Sequence, residues 1–305
     1  MSVTQLPLIK PAALQTGATI GIVAPASPFQ KDELERGLEI LRHMGFRVRL
    51  ADGLFDVHGY LAGEDERRAA QLLDMFRDAT VDAILCARGG YGCMRILPLL
   101  DYGLIRRNPK AFVGFSDITA LHQAFCMQSG MATFHGPVVC TLSSDEDLSR
   151  SSLLEALSGQ LPAAVSGAQM RSILPGMAEG RLVGGNLTIL CHLLGTPFAN
   201  SFDGCILFIE DCGEALYRID RMLTQMKLSG CLDGLAGIML GSFKDCGAEA
   251  DICNLVVQLF EEREIPIVAG LPAGHAKRNI TLPLGIHVRL DAEKAELIFL
   301  ESATT

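Results

Sequence analysis

Through the first half of the chain, short apolar runs alternate with stretches of helical period, and that alternation restricts the fold more than any other feature. Residues 19–24 (Thr-Ile-Gly-Ile-Val-Ala), 46–50, 81–86, 111–115 and 131–135 read as strands. Between them, residues 31–44 set Leu34, Leu38 and Leu41 on one face and stop at Gly45, while residues 65–77 turn Leu72, Leu73 and Phe76 inward. A shorter helix is predicted over 94–100, and another over 117–128 with Ile118, Leu121 and Phe125 at helical spacing. This order predicts right-handed βαβ units, hence an α/β fold whose parallel sheet is covered on both faces. Ligands of such sheets gather beyond the carboxyl ends of the strands. Residues 24–27, 88–92 and Ser116 all fall on that edge.

The pattern changes from about residue 149. Residues 158–180 lack regular periodicity and read as a connection between an N-terminal domain, 1–157, and a C-terminal domain, 181–305. In the second domain a strand and turn are predicted over 180–185, a helix over 186–194, and a buried strand over 205–209 that ends at Glu210-Asp211. A helix with Leu216, Ile219 and Leu223 on one face follows, then a strand (236–240), a helix (252–263) and a short strand (267–269). Residues 285–300 alternate about Asp291-Ala292-Glu293-Lys294 as a hairpin, so this domain is mixed α/β with more antiparallel character.

Composition excludes some classes. The 305 residues are 49% hydrophobic, enough for a substantial core. A formal net charge of -9, without a basic stripe, argues against nucleic-acid binding. Ten cysteines are scattered without a CxxC pair, and Cys86, Cys126, Cys191 and Cys205 lie in apolar runs, as expected of a reduced cytoplasmic protein. No stretch reaches membrane-spanning length without Gly, Pro or charge, and no apolar leader is evident, so a soluble cytoplasmic protein without membrane partners is expected.

Several residues carry potential chemistry. Ser116 stands at the break between the 111–115 strand and the following helix. A serine there sits on a sharp bend with its hydroxyl toward a cleft and the first helix N–H groups ready to bind an oxyanion, although capping the helix is the more ordinary role. Gly89-Gly90-Tyr91-Gly92 follows a strand but lacks the GxGxxG spacing and the P-loop lysine. Its glycines suit a backbone that approaches a ligand closely, and its N–H groups fit half of an oxyanion hole. Glu210 or Asp211 fits the acceptor of a histidine N–H, while Glu214 is spaced to pair with Arg218. His275 lies in a Gly-flanked loop between Pro272 and Pro283, whereas His122 and His192 sit on helices among apolar neighbours; His135, before Gly136-Pro137, is a second candidate. No His or Cys set has metal spacing, so no metal is expected. Ser116, Glu210 and His275 fit a nucleophile, an orienting acid and a base. Their chain order is that of α/β-hydrolases, but Gly114-Phe115-Ser116-Asp117-Ile118 lacks the second glycine of G-x-S-x-G.

Taken together, Val23-Ala24-Pro25-Ala26-Ser27, Arg88-Gly89-Gly90-Tyr91-Gly92, Gly114 to Ile118, His135-Gly136-Pro137, Gly184-Gly185-Asn186-Leu187, Ile209-Glu210-Asp211-Cys212-Gly213-Glu214 and Gly274-His275 resemble the LD-carboxypeptidase family of serine peptidases. The resemblance spans almost the whole chain. It implies a flavodoxin-like N-terminal domain and a smaller mixed α/β C-terminal domain, with the active site at their interface. It also implies Ser116 as nucleophile, Glu210 and His275 as its triad partners, and the N–H groups of Asp117 and of the Gly89-Gly90 turn as oxyanion donors. The activity implied is release of the terminal D-alanine from cytoplasmic murein tetrapeptide in peptidoglycan recycling, without a cofactor and by a homodimer. Arg88, by charge and position, is the candidate reader of the substrate's free carboxylate, with a backbone nest as the alternative. Asn186 either shapes the groove or caps its helix. Two rivals stand beside this reading. One is an amidase of the microcin C self-immunity branch, which stacks an aromatic residue, often Trp, on the nucleobase; this chain has no Trp. The other is a non-catalytic muropeptide-binding protein, against which an intact Ser/Glu/His set argues.

Overall fold

The computed structural model describes residues 6–144 and 146–305. In chain order the first part comprises β1 (Thr19–Val23), α1 (Lys31–His43), β2 (Arg47–Leu50), α2 (Asp65–Arg77), β3 (Ala83–Cys86), α3 (Cys93–Ile96), α4 (Tyr102–Arg107), β4 (Ala111–Gly114), α5 (Thr119–Ala124), β5 (Thr133–His135) and α6 (Asp147–Leu157). The second comprises β6 (Ala164–Val165), β7 (Arg171–Leu174), β8 (Met177–Asn186), α7 (Leu187–Leu193), β9 (Cys205–Cys212), α8 (Leu216–Leu228), β10 (Gly237–Lys244), α9 (Glu249–Phe260), β11 (Ile267–Ala269), β12 (Leu282–Leu284), β13 (His287–Asp291) and β14 (Glu296–Phe299). Two compact units result: one runs through Leu161 and adds Ile280–Pro283 and Ala303–Thr305, the other holds Pro162–Asn279 and Leu284–Ser302.

Among the described residues, the first unit carries a six-stranded sheet in the order β12-β5-β4-β3-β1-β2, parallel from β5 to β2. The inner strands β3 and β4 are buried along their whole length, as a parallel sheet covered on both faces requires. The edge strand β2 is Arg-Val-Arg-Leu and mostly exposed, and its charges discourage pairing with another chain. Leu34, Leu38 and Leu41 of α1 are buried at the expected spacing. Phe76 of α2, Phe112 of β4 and Phe125 pack together, with Phe112 and Phe125 ring centres 4.9 Å apart. Helix α4, absent from the expected pattern, is started by Asp101, whose carboxylate accepts the Leu104 N–H at 2.8 Å. Beyond α5 the chain widens into a π-turn over Phe125–Ser129 and stops at left-handed Gly130.

The second unit carries an eight-stranded sheet in the order β6-β14-β13-β8-β9-β10-β11-β7. Strands β8 to β11 are parallel, and β13, β14, β6 and β7 are added antiparallel. Leu207 and Ile209 of β9 share a core with Ile219, Leu223 and Met226 of α8 and Val256 and Phe260 of α9. The 158–180 stretch departs from the expected connection: β6, β7 and the start of β8 lie in it, and all join this sheet. Strands β6 and β7 are short and half-exposed, so their side chains carry no periodicity that a sequence could display. The 205–209 strand likewise continues through Glu210 and Asp211 to Cys212.

Candidate active site

Ser116 occupies the turn that leaves β4, and its φ is 64°, one of four non-glycine left-handed values among the described residues. Such a conformation costs an L-residue roughly 1–2 kcal/mol. The turn is fixed from several sides. Ile118 packs where a side chain on Gly114 would be, since a Cβ there would come within 2.9 Å of it. His122, buried on α5, bonds back to the Gly114 carbonyl through Nε2 at 2.8 Å. Burial pushes that imidazole down to about 4, so it donates as a neutral ring. The Asp117 carboxylate is buried and accepts the Cys93 N–H at 2.8 Å, tying the turn to the start of α3. Burial raises its pKa and the Cys93 bond opposes the rise.

The loop after β3 lies against this turn. A Cβ on Gly89 would stand 2.9 Å from Ser116 Cβ and 3.3 Å from its Oγ, so only glycine lets the backbone pass this close. Gly90 has φ 108°, and the next residue, Tyr91, donates its N–H to Ser27 Oγ at 3.0 Å. Ser27 N–H in turn donates to Gly89 O at 3.3 Å. Arg88 is exposed, and one of its Nη groups donates to Pro28 O at 3.1 Å. Beneath these loops Arg68 is fully buried. It donates to Pro25 O, to Gly92 O at 3.0 Å, to Gly63 O at 3.2 Å and to Asp65. One guanidinium therefore fastens the segments that follow β1, β2 and β3. Asp65, which also takes Arg95 at 2.7 Å, is held below the usual carboxylate range by Arg95 and Arg68.

In the second unit, Glu210 is fully buried near the end of β9, opposite Asn186 in the register of β8. His275 Nδ1 donates to Glu210 Oε2 at 2.7 Å. Burial raises Glu210, and the bond from His275 opposes it. Burial alone would lower His275, but hydrogen bonds to Cys212 and Glu210 outweigh it and push the imidazole up to about 10. The loop is placed from β10: Ser242 N–H donates to Ala273 O at 2.9 Å, and Ser242 Oγ accepts the Ala276 N–H at 3.3 Å. The buried Asn279 side chain closes it by accepting the Gly274 N–H at 2.9 Å. Gly274, at φ 117°, is required there, because a Cβ would fall 2.5 Å from Glu210 Oε2 and 2.6 Å from Ser242 Oγ.

The neighbouring carboxylates have other work. Asp211 accepts Asn186 Nδ2 at 3.0 Å, the Thr188 N–H at 2.9 Å and Thr188 Oγ1 at 2.8 Å, which caps α7. Asn186 joins that cap by accepting the Ile189 N–H at 3.1 Å. Glu214 pairs with Arg218 at 3.4 Å on the surface. His135 is fully buried, its ring 6.0 Å from that of Phe115. Thus the structure groups Arg88, Gly89, Gly90, Ser116 and Asp117 on one sheet edge of the first unit, and Glu210, His275 and Asn186 in the second. No local pattern in the sequence marks Arg68 or Ser242, since each acts through contacts distant along the chain, and Cys212, although part of the 209–214 stretch, carried no role there. Among the described residues no cluster of His, Cys, Asp or Glu could hold a metal ion, and no helix is long and apolar enough to cross a membrane.

The model of the LD-carboxypeptidase N-terminal domain matches residues 20–136, and that of the LD-carboxypeptidase C-terminal domain matches residues 179–290. The chain is 40% identical to a probable murein peptide carboxypeptidase of Bacillus subtilis, over 95% of this chain and 94% of that protein. A solved muramoyltetrapeptide carboxypeptidase from Oxalobacter formigenes is 31% identical with a TM-score of 0.82, over 92% of this chain and 97% of that one. The microcin C7 self-immunity protein MccF of Escherichia coli is 27% identical over 99% of this chain and 98% of that protein. A structure of MccF with glutamyl sulfamoyl guanosine has a TM-score of 0.90 at 24% identity, over 97% of this chain and 99% of that one, and shares the fold.

Proposed function

The chain belongs to the LD-carboxypeptidase family and is a serine-type carboxypeptidase, and from that premise we propose that it releases the terminal D-alanine from murein tetrapeptide, with Ser116 as nucleophile, His275 as general base and Glu210 as its orienting acid. The observation that carries the reading is the left-handed Ser116: a strained, non-glycine turn on the carboxyl edge of a parallel sheet presents a hydroxyl at a cost that helix capping does not require. The hydrogen bond between Glu210 and His275 supports it, because a carboxylate on Nδ1 holds the ring in the tautomer whose Nε2 accepts a proton.

In this mechanism Ser116 Oγ attacks the carbonyl carbon of the L-centre, and its proton passes to His275 Nε2. The oxyanion is held by the N–H of Asp117 and by an N–H of the Gly89-Gly90 turn. As the C–N bond breaks, His275 returns the proton to the departing amine of D-alanine, leaving an acyl-enzyme. A water that gives its proton to His275 then releases the tripeptide and restores Ser116. Arg88 takes the free carboxylate of the substrate. A cytoplasmic recycling role and a homodimer follow from the same family reading.

Mass spectrometry of the peptide product from purified murein tetrapeptide tests the proposal. Wild type is expected to yield tripeptide and D-alanine, and Ser116→Ala to lower kcat by at least about 10³-fold while remaining folded. Wild-type turnover by Ser116→Ala would remove the mechanism. Inert wild type beside a working control enzyme would turn the search to aminoacyl-nucleotide amides, the chemistry in the MccF complex.

A further inference from the structure

Of the segments on the carboxyl edge of the first sheet, the one after β1 has no part in the proposed chemistry, yet its Ser27 is bonded to the loop that does. In the sheet β3 lies between β1 and β4, so the loop after β3 runs between Ser27 on one side and Ser116 on the other. Gly89 and Gly90 meet these serines in turn: a Cβ on Gly89 would stand 2.9 Å from Ser116 Cβ, and a Cβ on Gly90 would stand 2.5 Å from Ser27 Oγ. Three hydrogen bonds join Ser27 to this loop. Its N–H donates to Gly89 O at 3.3 Å, its Oγ accepts the Tyr91 N–H at 3.0 Å, and the same hydroxyl donates to Tyr91 O at 3.5 Å. Ser27 is itself held. Pro28 restricts the backbone before it to extended conformations. Carbonyls on both sides are taken: Pro25 O by Arg68, Ala26 O by the Ala62 N–H at 2.9 Å, and Pro28 O by Arg88 at 3.1 Å.

These bonds decide which way the turn faces. In a trans peptide the C=O and the N–H point in opposite directions, and no cis bond occurs among the described residues. With the Gly89 carbonyl turned to Ser27, the Gly90 N–H is turned away from it, toward the side on which Ser116 stands. The Gly90 N–H has no acceptor among the described residues, whereas the Tyr91 N–H is occupied by Ser27. Resting on the carboxypeptidase reading above, we infer that Ser27 is a positioning residue: it sets the two peptide planes around Gly90 so that the Gly90 N–H meets the oxyanion beside that of Asp117. A donor fixed before the reaction needs no rearrangement as charge develops, and its effect comes from that. Without the Ser27 hydroxyl, the Tyr91 N–H loses its acceptor, and Gly90, left-handed at φ 108°, has the conformational freedom to turn its peptides.

The test applies two readouts to wild type, Ser27→Ala and Ser27→Thr, the last of which keeps a hydroxyl. One is the rate at which an alkyl fluorophosphonate labels Ser116, followed by protein mass. In that reaction Ser116 Oγ bonds to phosphorus, fluoride leaves, the serine proton passes to the base, and the phosphoryl oxygen takes the place of the oxyanion. The other is kcat and KM on murein tetrapeptide. An oxyanion donor acts in the transition state and not on bound substrate, so Ser27→Ala is expected to slow labelling and kcat about 10²-fold with KM within about twofold. Ser27→Thr is expected to stay within about fivefold of wild type in both, because the acceptor for Tyr91 is kept. Unchanged labelling in Ser27→Ala, equal losses in the two variants, or a loss confined to KM would overturn the positioning role and leave the carboxypeptidase reading intact. Wild type that takes no label, or labelling that persists at the same rate in Ser116→Ala, would remove the nucleophile, and the role of Ser27 with it. If wild type takes the label but leaves tetrapeptide uncut, the labelling rates alone decide for or against Ser27.

Discussion

Ser116 and His275 each sit in a conformation or environment that ordinary folding would avoid, and both invite measurement. His275 must be neutral to accept the Ser116 proton, so kcat/KM rises with pH through its pKa. With that pKa raised by Cys212 and Glu210, the acid limb of the pH profile is expected above the ordinary histidine value of about 6.5. Cys212→Ala should move the limb toward lower pH; an unchanged limb would show that the thiol has no part. Gly274→Ala forces a Cβ against Glu210 Oε2 at a positive φ. It is expected to cut kcat/KM by about 10²-fold, since a displacement near 1 Å is enough to spoil such a geometry, with Tm nearly kept. Full activity in that variant would mean that the loop has freedom its contacts do not suggest.

At the scale of elements, the loops after β1, β2 and β3 share one buried cation. Removing it leaves the carbonyls of Pro25, Gly63 and Gly92 and the Asp65 carboxylate without the guanidinium that joins them. Arg68→Met, which keeps much of the volume, is therefore expected to destabilise the first unit by about 3–5 kcal/mol, read from denaturant unfolding. A loss below about 1 kcal/mol would reduce Arg68 to a packing residue. The β9 strand shows the complementary arrangement: Asp211 points to one face to cap α7, and Glu210 to the other to hold His275.

At the scale of the whole molecule, the ten cysteines among the described residues stand outside any disulfide, and of these Cys126 and Cys212 are not buried. Reducing agent is accordingly expected to leave Tm unchanged, and thiol titration in denaturant to return ten groups per chain. Native titration should react first at the less buried pair. A Tm that falls with reductant would reveal a disulfide and contradict the thiol assignment. Each unit has its own sheet and its own packed helices, and the chain visits the first unit twice more after entering the second.

The parallel core of the first unit is written in the sequence, because β1, β3, β4, α1 and α2 carry their burial pattern as local periodicity. The candidate residues were visible for a related reason: Ser116 stands where one period gives way to another, and His275 is flanked by glycine. Other features were not visible. Strands β6 and β7 are formed by pairing with β14 and β11, far away in sequence, and their half-exposed residues show no apolar alternation. The left-handed φ of Ser116 is a property of the packed turn, as Gly89, Ile118 and Asp117 hold it there. The division of labour between Glu210 and Asp211 is equally tertiary. Adjacent carboxylates look alike along a strand, and only the sheet, by sending alternate side chains to opposite faces, decides that one caps a helix and the other meets a histidine.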